Sequence, residues 1–198
     1  MTRGLHADAL TLLRDWTAPD DGQERLRRAY VAHLEEHPDG LSRTCRPSHL
    51  TAGALIVSAD HREVLLTLHA KAREWYHTGG HCEPGDATLA AAALREGREE
   101  SGLDRLDLDP VPIQLDRHDV PFCGPAGGGP VHHLDVRFVA VAAADAVHAV
   151  SEESLDVAWW PVDALPGTAD LPALVERALA RLGSRPAGQS SGSSSAAI

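Results

Sequence analysis

The sequence predicts an α/β fold that follows a helical segment. Residues 49–58 and 63–70 are rich in apolar and β-branched side chains and are separated by a short polar turn, which predicts two strands. From about Thr88 to Ser101, strong helix formers run up to Gly102, a residue that commonly ends helices. This order of strand, turn, strand and helix favours an α/β arrangement.

The N-terminal part of the chain predicts two helices. Apolar residues recur at helical spacing within 5–16 and again within 26–34. Asp20 or Asp21 precedes the second stripe, and either could cap that helix. We expect this extension, residues 1–45, to pack on the domain or on a partner subunit, so the protein could form a homodimer.

The remaining elements follow in order after the central helix. We expect a loop at 104–112 and strands at 113–120 and 131–143. The segment 151–166 predicts an acidic loop, a strand and a turn, and 169–182 predicts the last helix.

These patterns divide the chain into three parts. The helical extension occupies 1–45, and the α/β domain occupies 46–183. The tail, 184–198, is rich in Ser, Gly and Ala and is expected to be disordered, because it lacks the apolar residues that would offset the entropy of ordering.

The strand predicted at 131–143 carries one polar face. His133, Asp135 and Arg137 alternate with apolar residues, so their side chains share one side of the strand. On a strand inside the sheet such a face lines a cleft, although a half-exposed strand would show the same pattern.

Composition and charge limit the function classes. The net charge is −11, which argues against broad nucleic-acid binding, and no apolar run reaches the length of a membrane span. The N-terminal residues lack the apolar stretch of a secretory signal. Cys45, Cys82 and Cys123 are odd in number and scattered, which favours free thiols and a cytoplasmic setting.

Three glutamates lie on one face of the central helix. Glu96, Glu99 and Glu100 stand at i, i+3 and i+4, within an arc of about 100°. Arg95 and Arg98 point elsewhere around the helix, so we do not expect them to neutralise this face. A hard divalent cation would stabilise such carboxylates, although a solvated acidic face has the same spacing.

The run 79–103 resembles the signature of the Nudix hydrolases. That signature reads G, five residues, E, seven residues, then R-E-apolar-x-E-E-x-G-apolar. Here Gly80, five residues, Asp86 and eight residues precede REGREESGL. Asp86 replaces a glutamate, the spacing is one residue longer, and Gly97 replaces an apolar residue. Asp86 could therefore simply cap the helix.

The resemblance implies a fold and a reaction. The fold is a Nudix-type α/β/α sandwich with a mixed, curved sheet. The reaction is metal-dependent hydrolysis of a nucleoside diphosphate linked to another moiety X, by attack of water on phosphorus. Glu96, Glu99 and Glu100 would hold Mg²⁺ or Mn²⁺, and the partner molecule would be a small diphosphate substrate.

The resemblance also implies catalytic roles. Arg95 would orient a glutamate of the signature rather than touch the substrate. The general base would be Glu96 or Glu99, or an acid from a later loop, for which Glu153 is the candidate.

The expected substrate-binding residues come from positions beside the signature. Lys71 is the only lysine of the chain and precedes the glycine pair, where a point charge could meet a phosphate. The other expected contacts are Gly80 and the polar strand face, formed by His133, Asp135 and Arg137. A solvated Lys71 remains an equal alternative.

Histidines near the signature do not predict zinc. His77, His81, Cys82, His132 and His133 match no structural zinc spacing, so we expect no zinc site.

Two other functions fit the sequence. A catalytically silent Nudix-fold domain could bind a ligand as a sensor, although the complete glutamate triple argues against it. The N-terminal helices could instead carry a protein-interaction role. The identity of X cannot be read from these residues.

Overall fold

The computed structural model describes residues 3–70, 72–120, 131–149, 154–167 and 170–184. The predicted disordered tail lies outside these residues except for Ser184, which ends the last helix.

The elements of the described residues alternate as an α/β chain with two leading helices. In order they are α1 (Arg3–Asp15), α2 (Asp21–Glu36), β1 (Ser48–Val57), β2 (Glu63–His69), β3 (Trp75–Tyr76), β4 (Thr78–His81), α3 (Leu89–Ser101), β5 (Leu106–Asp119), β6 (His132–Ala142), β7 (Ser154–Pro161) and α4 (Leu171–Ser184).

The strands form one mixed sheet. Its main order is β3-β2-β1-β6-β5, while β4 pairs with β1 and β7 pairs with β2. The β1–β6 pairing is parallel, and the other pairings of the described strands are antiparallel. The mixed sheet predicted from the sequence is confirmed.

Helices cover both faces of the sheet, as the expected sandwich requires. Because side chains alternate along β1, Leu50 and Ile56 pack with α1, α2 and α3 on one face. Leu55 and Val57 pack with Leu174 of α4 on the other face. Each face therefore has its own buried apolar cluster.

The N-terminal helices are attached to β5 by hydrogen bonds as well as by apolar packing. Trp16 Nε1 donates to the carbonyl of Pro112 at 2.6 Å, and the Gln23 side chain bonds the backbone N–H and carbonyl of Leu115 at 2.6 and 3.0 Å. The Tyr30 hydroxyl is likewise bonded to a β5 carbonyl. The extension thus packs on the α/β domain of its own chain.

The prediction of a loop at 104–112 is wrong. Strand β5 begins at Leu106 and continues to Asp119. Pro110 and Pro112 cannot donate to a strand ladder, and the pairing with β6 shifts register between Asp109 and Gln114. The irregular pairing accommodates the prolines that made this segment resemble a loop.

The glycine pair of the signature lies in a strand. Residues 75–76 form β3 and 78–81 form β4, which includes Gly79 and Gly80 and pairs with β1. This pairing places the start of the signature on the sheet, beside α3.

Two remaining features concern the thiols and the polarity of the helices. Cys45 and Cys82 are buried free thiols, and Cys123 lies outside the described residues. Within the described residues, every helix is too short or too polar to cross a membrane.

Candidate active site

Helix α3 is fixed at both ends, which sets the positions of its glutamates. The Thr88 side chain caps it by accepting from the N–H of Ala91 at 3.0 Å, and Asp8 of α1 accepts from the N–H of Leu89 at 2.9 Å. Gly102 ends the helix with φ of +69°, a conformation that glycine adopts without strain. The cap is therefore Thr88 and not Asp86.

Arg95 is the centre of the site. Its Nε and Nη2 donate to the two carboxylate oxygens of Asp86, each at 3.1 Å, and its Nη1 donates to Glu96 Oε1 at 2.9 Å and to Glu99 Oε2 at 3.0 Å. Nη2 also donates to the carbonyl of His81 at 2.9 Å. The hydrogen bonds that Arg95 donates to Asp86 and the charge of Glu96 raise the pKa of Arg95 above its ordinary value.

The expectation that Arg95 leaves the glutamate face unneutralised is wrong. Its backbone position points away from the face, but its long side chain folds back and pairs with two of the three glutamates. Asp86, which is 6% exposed, holds the guanidinium from the other side. An arginine therefore lies where helical geometry alone predicted uncompensated repulsion.

Strand β4 holds the other side of the glutamate face. The N–H of Gly79 donates to Glu100 Oε2 at 3.1 Å. A Cβ at Gly80 would lie 2.7–2.8 Å from the carboxylate atoms of Glu96, so only glycine allows this approach. The predicted substrate contact of Gly80 stays a prediction, while its packing role is structural.

The three glutamates differ in exposure and partners. The side chain of Glu99 is 59% exposed and that of Glu96 is 14% exposed. Among the described residues, two groups of possible metal ligands have all their ligand atoms within 4.8 Å of one another, and the glutamate triple is not one of them. In this arrangement Glu96 and Glu99 accept hydrogen bonds from Arg95, and Glu100 accepts one from the Gly79 N–H.

The chemistry of this face fits a hard divalent cation. Its donors are carboxylate oxygens on one helix face, the ligand type that Mg²⁺ and Mn²⁺ prefer. Rotation of the exposed Glu99 side chain away from Arg95 breaks only an exposed ion pair, which is worth about 0–1 kcal/mol. Ligand chemistry and mobility are thus both suited to metal binding.

Two of the predicted site residues lie outside the described residues, namely Lys71 and Glu153. Their predicted roles in phosphate binding and as a general base stay predictions.

The polar face of β6 is present, but two of its three members are buried. Asp135 is 5% exposed and accepts a hydrogen bond from the Thr51 hydroxyl at 3.0 Å, and its other oxygen lies 3.3 Å from His77 Nε2. Burial raises the pKa of Asp135, but the hydrogen bond to His77 and the charge of Arg137 outweigh it and hold that pKa below its ordinary value. Asp135 is therefore an internal carboxylate with its oxygens already bonded.

Arg137 connects several acids on the same face. Its side chain is 4% exposed and donates from Nε to Asp135 at 2.9 Å. Nη1 donates to Gln114 at 3.2 Å and to Asp170 at 2.9 Å. Nη2 donates to Asp116 at 3.1 Å. The expected substrate contacts of Asp135 and Arg137 stay predictions; what the structure gives these residues is a buried hydrogen-bond network beside α4.

The third member of that face, His133, lies against two other histidines. The ring centroids of His49, His81 and His133 are 5.0–5.1 Å apart. Burial, followed by the neighbouring imidazoles, lowers the pKa of His133 to about 3 and that of His81 to about 4. Among the described residues, Nε2 of His133 is buried without a hydrogen-bond partner, a condition that costs about 1–3 kcal/mol.

Sequence reasoning missed His49 and did not anticipate this cluster. The spacing of residues along the chain cannot reveal the cluster, because its members lie on β1, β4 and β6. The available signal for His49 was its alternation with apolar residues at the start of the segment 49–53. His77 joins the Asp135 network instead, and the ring of His132 contacts Asp119.

Comparison with known proteins agrees with the fold. A family model described as NUDIX domain matches residues 47–181. The structure is similar to a NUDIX-family hydrolase from Clostridium perfringens, with 24% identity over 68% of this chain and 97% of that one and a TM-score of 0.55.

Two further solved structures share the fold. An Ap4A hydrolase from C. elegans is 20% identical over 68% of this chain and 97% of its own, with a TM-score of 0.52. The Nudix hydrolase RenU from M. smegmatis is 22% identical over 70% and 88%, with a TM-score of 0.50. Among curated proteins no match was found.

Proposed function

Because this chain belongs to the Nudix family and is a Nudix-type pyrophosphohydrolase, we propose that it cleaves a nucleoside diphosphate linked to another moiety X, using Mg²⁺ or Mn²⁺. The bond that breaks is a phosphoanhydride P–O bond, and the attacking nucleophile is water. A small-molecule diphosphate is thus the proposed partner.

Glu96, Glu99 and Glu100 are the proposed metal ligands. The bound ion would neutralise charge on the phosphate oxygens and lower the pKa of the attacking water. The three carboxylates belong to one helix face beside β4, so they can converge on a single region with only side-chain rotation.

Arg95 is a positioning residue in this proposal. It bonds Glu96 and Glu99 directly and is itself held by Asp86, so it fixes where both carboxylates lie. As a glutamate rotates onto a cation, the Asp86 contacts keep the guanidinium in place. Glu99 is the more exposed of the two glutamates and therefore the one better placed to meet solvent and to act as base.

The general base remains a choice between two proposals. One is a glutamate of the helix, Glu96 or Glu99, and the other is Glu153, which lies outside the described residues and just precedes β7 in the sequence. Glu153→Gln distinguishes them, because a loop base predicts a loss of turnover with metal binding unchanged, whereas a helix base predicts wild-type turnover.

The observation that carries the proposal is the set of contacts around Arg95. One guanidinium is bonded to Asp86, Glu96 and Glu99, and the backbone of β4 is fitted against Glu96 and Glu100. A solvated acidic face does not require a buried carboxylate, such as Asp86, to bind its arginine. It also does not require a glycine, such as Gly80, to allow close approach of a glutamate. The arrangement therefore favours a carboxylate face built into the fold over a solvated surface patch.

Glu99→Gln tests the mechanism. The change keeps side-chain size and removes one ligand charge, so turnover with Mg²⁺ should fall at least about 100-fold. Stability should change by less than about 1 kcal/mol, since the pair with Arg95 is exposed. Glu176→Gln, at an exposed position on α4, is the matched control and should keep wild-type turnover.

Substrate identity needs a hydrolysis screen. Nucleoside triphosphates, sugar nucleotides, dinucleoside polyphosphates and diphosphoinositols should be offered with Mg²⁺ and with Mn²⁺; the fold shared with an Ap4A hydrolase adds diadenosine tetraphosphate to the panel. Turnover that is lost in Glu99→Gln supports the hydrolase. Ligand binding without turnover by the wild-type protein across the panel would instead indicate the sensor role.

A further inference from the structure

Three histidines from separate strands meet on the sheet face opposite the glutamates. His49 of β1 and His133 of β6 are directly paired in parallel register, and His81 of β4 pairs with Thr51 of β1. Because side chains alternate along a strand, these three rings share one face. Gly80 faces Glu96, so the next residue, His81, points to the other side of the sheet.

The three rings form a nearly equilateral triangle. Their centroids are 5.1 Å (His49–His81), 5.0 Å (His49–His133) and 5.0 Å (His81–His133) apart. Each ring offers one nitrogen, and these nitrogens all lie within 4.8 Å of one another. Tetrahedral Zn²⁺ with bonds of about 2.0–2.1 Å requires nitrogens about 3.3 Å apart, so closure needs movements of about 1.5 Å or less.

Hydrogen bonding prepares one of these rings as a ligand. Nδ1 of His49 lies 3.3 Å from the carbonyl oxygen of Cys45, which can only accept, so Nδ1 carries the proton and Nε2 carries the lone pair. A metal-binding histidine commonly donates its other ring N–H to a carbonyl in this way.

The other two rings are suited to binding a cation without an added proton. Nε2 of His133 is buried and lacks a hydrogen-bond partner among the described residues. Neutral imidazole is the ligating form, and the ring of His81 lies against that of His133, with centroids 5.0 Å apart. His118 lies near His133 but is bonded to Asp116, and we do not count it as a ligand.

We propose that His49, His81 and His133 bind one divalent transition-metal ion of the zinc type. Three neutral nitrogen donors suit Zn²⁺ or Co²⁺ and do not suit Mg²⁺, which prefers oxygen. A three-histidine set leaves a fourth position for water or another small ligand. The site is separate from the glutamate face and does not rest on the proposed hydrolase function.

Cobalt binding to the full-length chain tests this site. The protein is prepared without a histidine tag, stripped with a chelator and titrated with Co²⁺ in excess Mg²⁺, which competes for oxygen sites. We expect one Co²⁺ per chain, with the visible absorption of a low-coordinate ion, and displacement of that ion by Zn²⁺. A titration with no saturable binding would overturn the proposal.

Variants assign the ligands. His133→Gln and His81→Gln should each weaken Co²⁺ binding at least about 100-fold. His37→Gln is the matched control, because His37 belongs to a second group, with Asp39 and Cys45, whose ligand atoms are equally close. Loss of binding in His37→Gln, with both other variants unchanged, would place the ion elsewhere.

A measurement on the wild-type protein covers the case in which the variants misfold. X-ray absorption of the bound Zn²⁺ reports the number of imidazole ligands directly. Three imidazoles support the site, and fewer than three contradict it.

Discussion

Gly80→Ala separates the positioning of Glu96 from the stability of the fold. A Cβ at this position would lie 2.7 Å from Cδ and Oε2 of Glu96 and 2.8 Å from Oε1. Ordinary contact begins at 3.4 Å, so the carboxylate must move by 3.4 − 2.7, or about 0.7 Å. The movement disturbs the 2.9 Å hydrogen bond from Arg95 Nη1 to Glu96 Oε1.

The cost in stability should be small. The atoms that clash are the far end of a flexible side chain, which can swing aside without backbone movement. Alanine also restricts the unfolded chain, an effect worth about 0.4–1 kcal/mol in favour of folding. We expect the free energy of unfolding to change by less than about 1 kcal/mol in either direction.

The cost in turnover should be large. Misplacement of a catalytic group by about 1 Å can reduce a rate about 100-fold, so a shift of about 0.7 Å should lower kcat about 10- to 100-fold. The assay is steady-state hydrolysis of the best substrate from the screen at saturating Mg²⁺, with urea unfolding measured on the same preparations.

Gly85→Ala is the matched control for this variant. It lies in the same signature, and a Cβ there would meet nothing within 4 Å. It should keep wild-type kcat. If Gly80→Ala also kept kcat within about twofold of wild type while folding normally, Glu96 would not depend on this contact and the reasoning would fail.

Three further predictions concern buried groups. Asp86→Asn replaces two charge-assisted hydrogen bonds from Arg95 with weaker ones, so the free energy of unfolding measured with urea should fall by about 1–2 kcal/mol. The kcat should also fall while KM stays unchanged. An unchanged kcat would exclude a positioning role for Asp86. Asp135→Asn removes one of the three carboxylates bonded to the buried Arg137, so a loss of about 2 kcal/mol is expected in the same urea assay, and unchanged stability would contradict the network's importance. Burial raises the pKa of Cys82 to about 12, so at pH 8 its thiol should resist alkylation in the native protein and react after unfolding. Peptide mass spectrometry measures the extent of alkylation. Because the unfolded thiol ionises near pH 9 and the folded one does not, this group should lower stability as pH rises above 9; rapid native alkylation would refute its burial.

Local structure could be read from the sequence where local interactions decide it. The bounds of α3 follow from a run of helix formers that stops at Gly102, and both ends lie within a residue or two of the prediction, although the cap is Thr88 rather than Asp86. The cap of α2, Asp20, was one of the two predicted candidates, and the alternation along β6 was readable for the same reason. Side-chain caps, glycine stops and period-two patterns act over a few residues, so they can be recognised without knowing the fold.

The direction of a long side chain could not be predicted from the sequence. The helical position of Arg95 points away from the glutamates, yet the guanidinium returns to Glu96 and Glu99 because Asp86 and the carbonyl of His81 hold it there. Those partners come from the turn and from β4, and their positions depend on strand pairing.

Strand pairing is also what assembled the histidine cluster. His49 and His133 are 84 positions apart, and only the parallel register of β1 with β6 makes them neighbours. His81 joins them because β4 pairs with the other edge of β1. The sequence determined which residues could carry metal chemistry; the long-range register of the sheet decided which of them meet, since contacts between distant strands leave no spacing pattern along the chain.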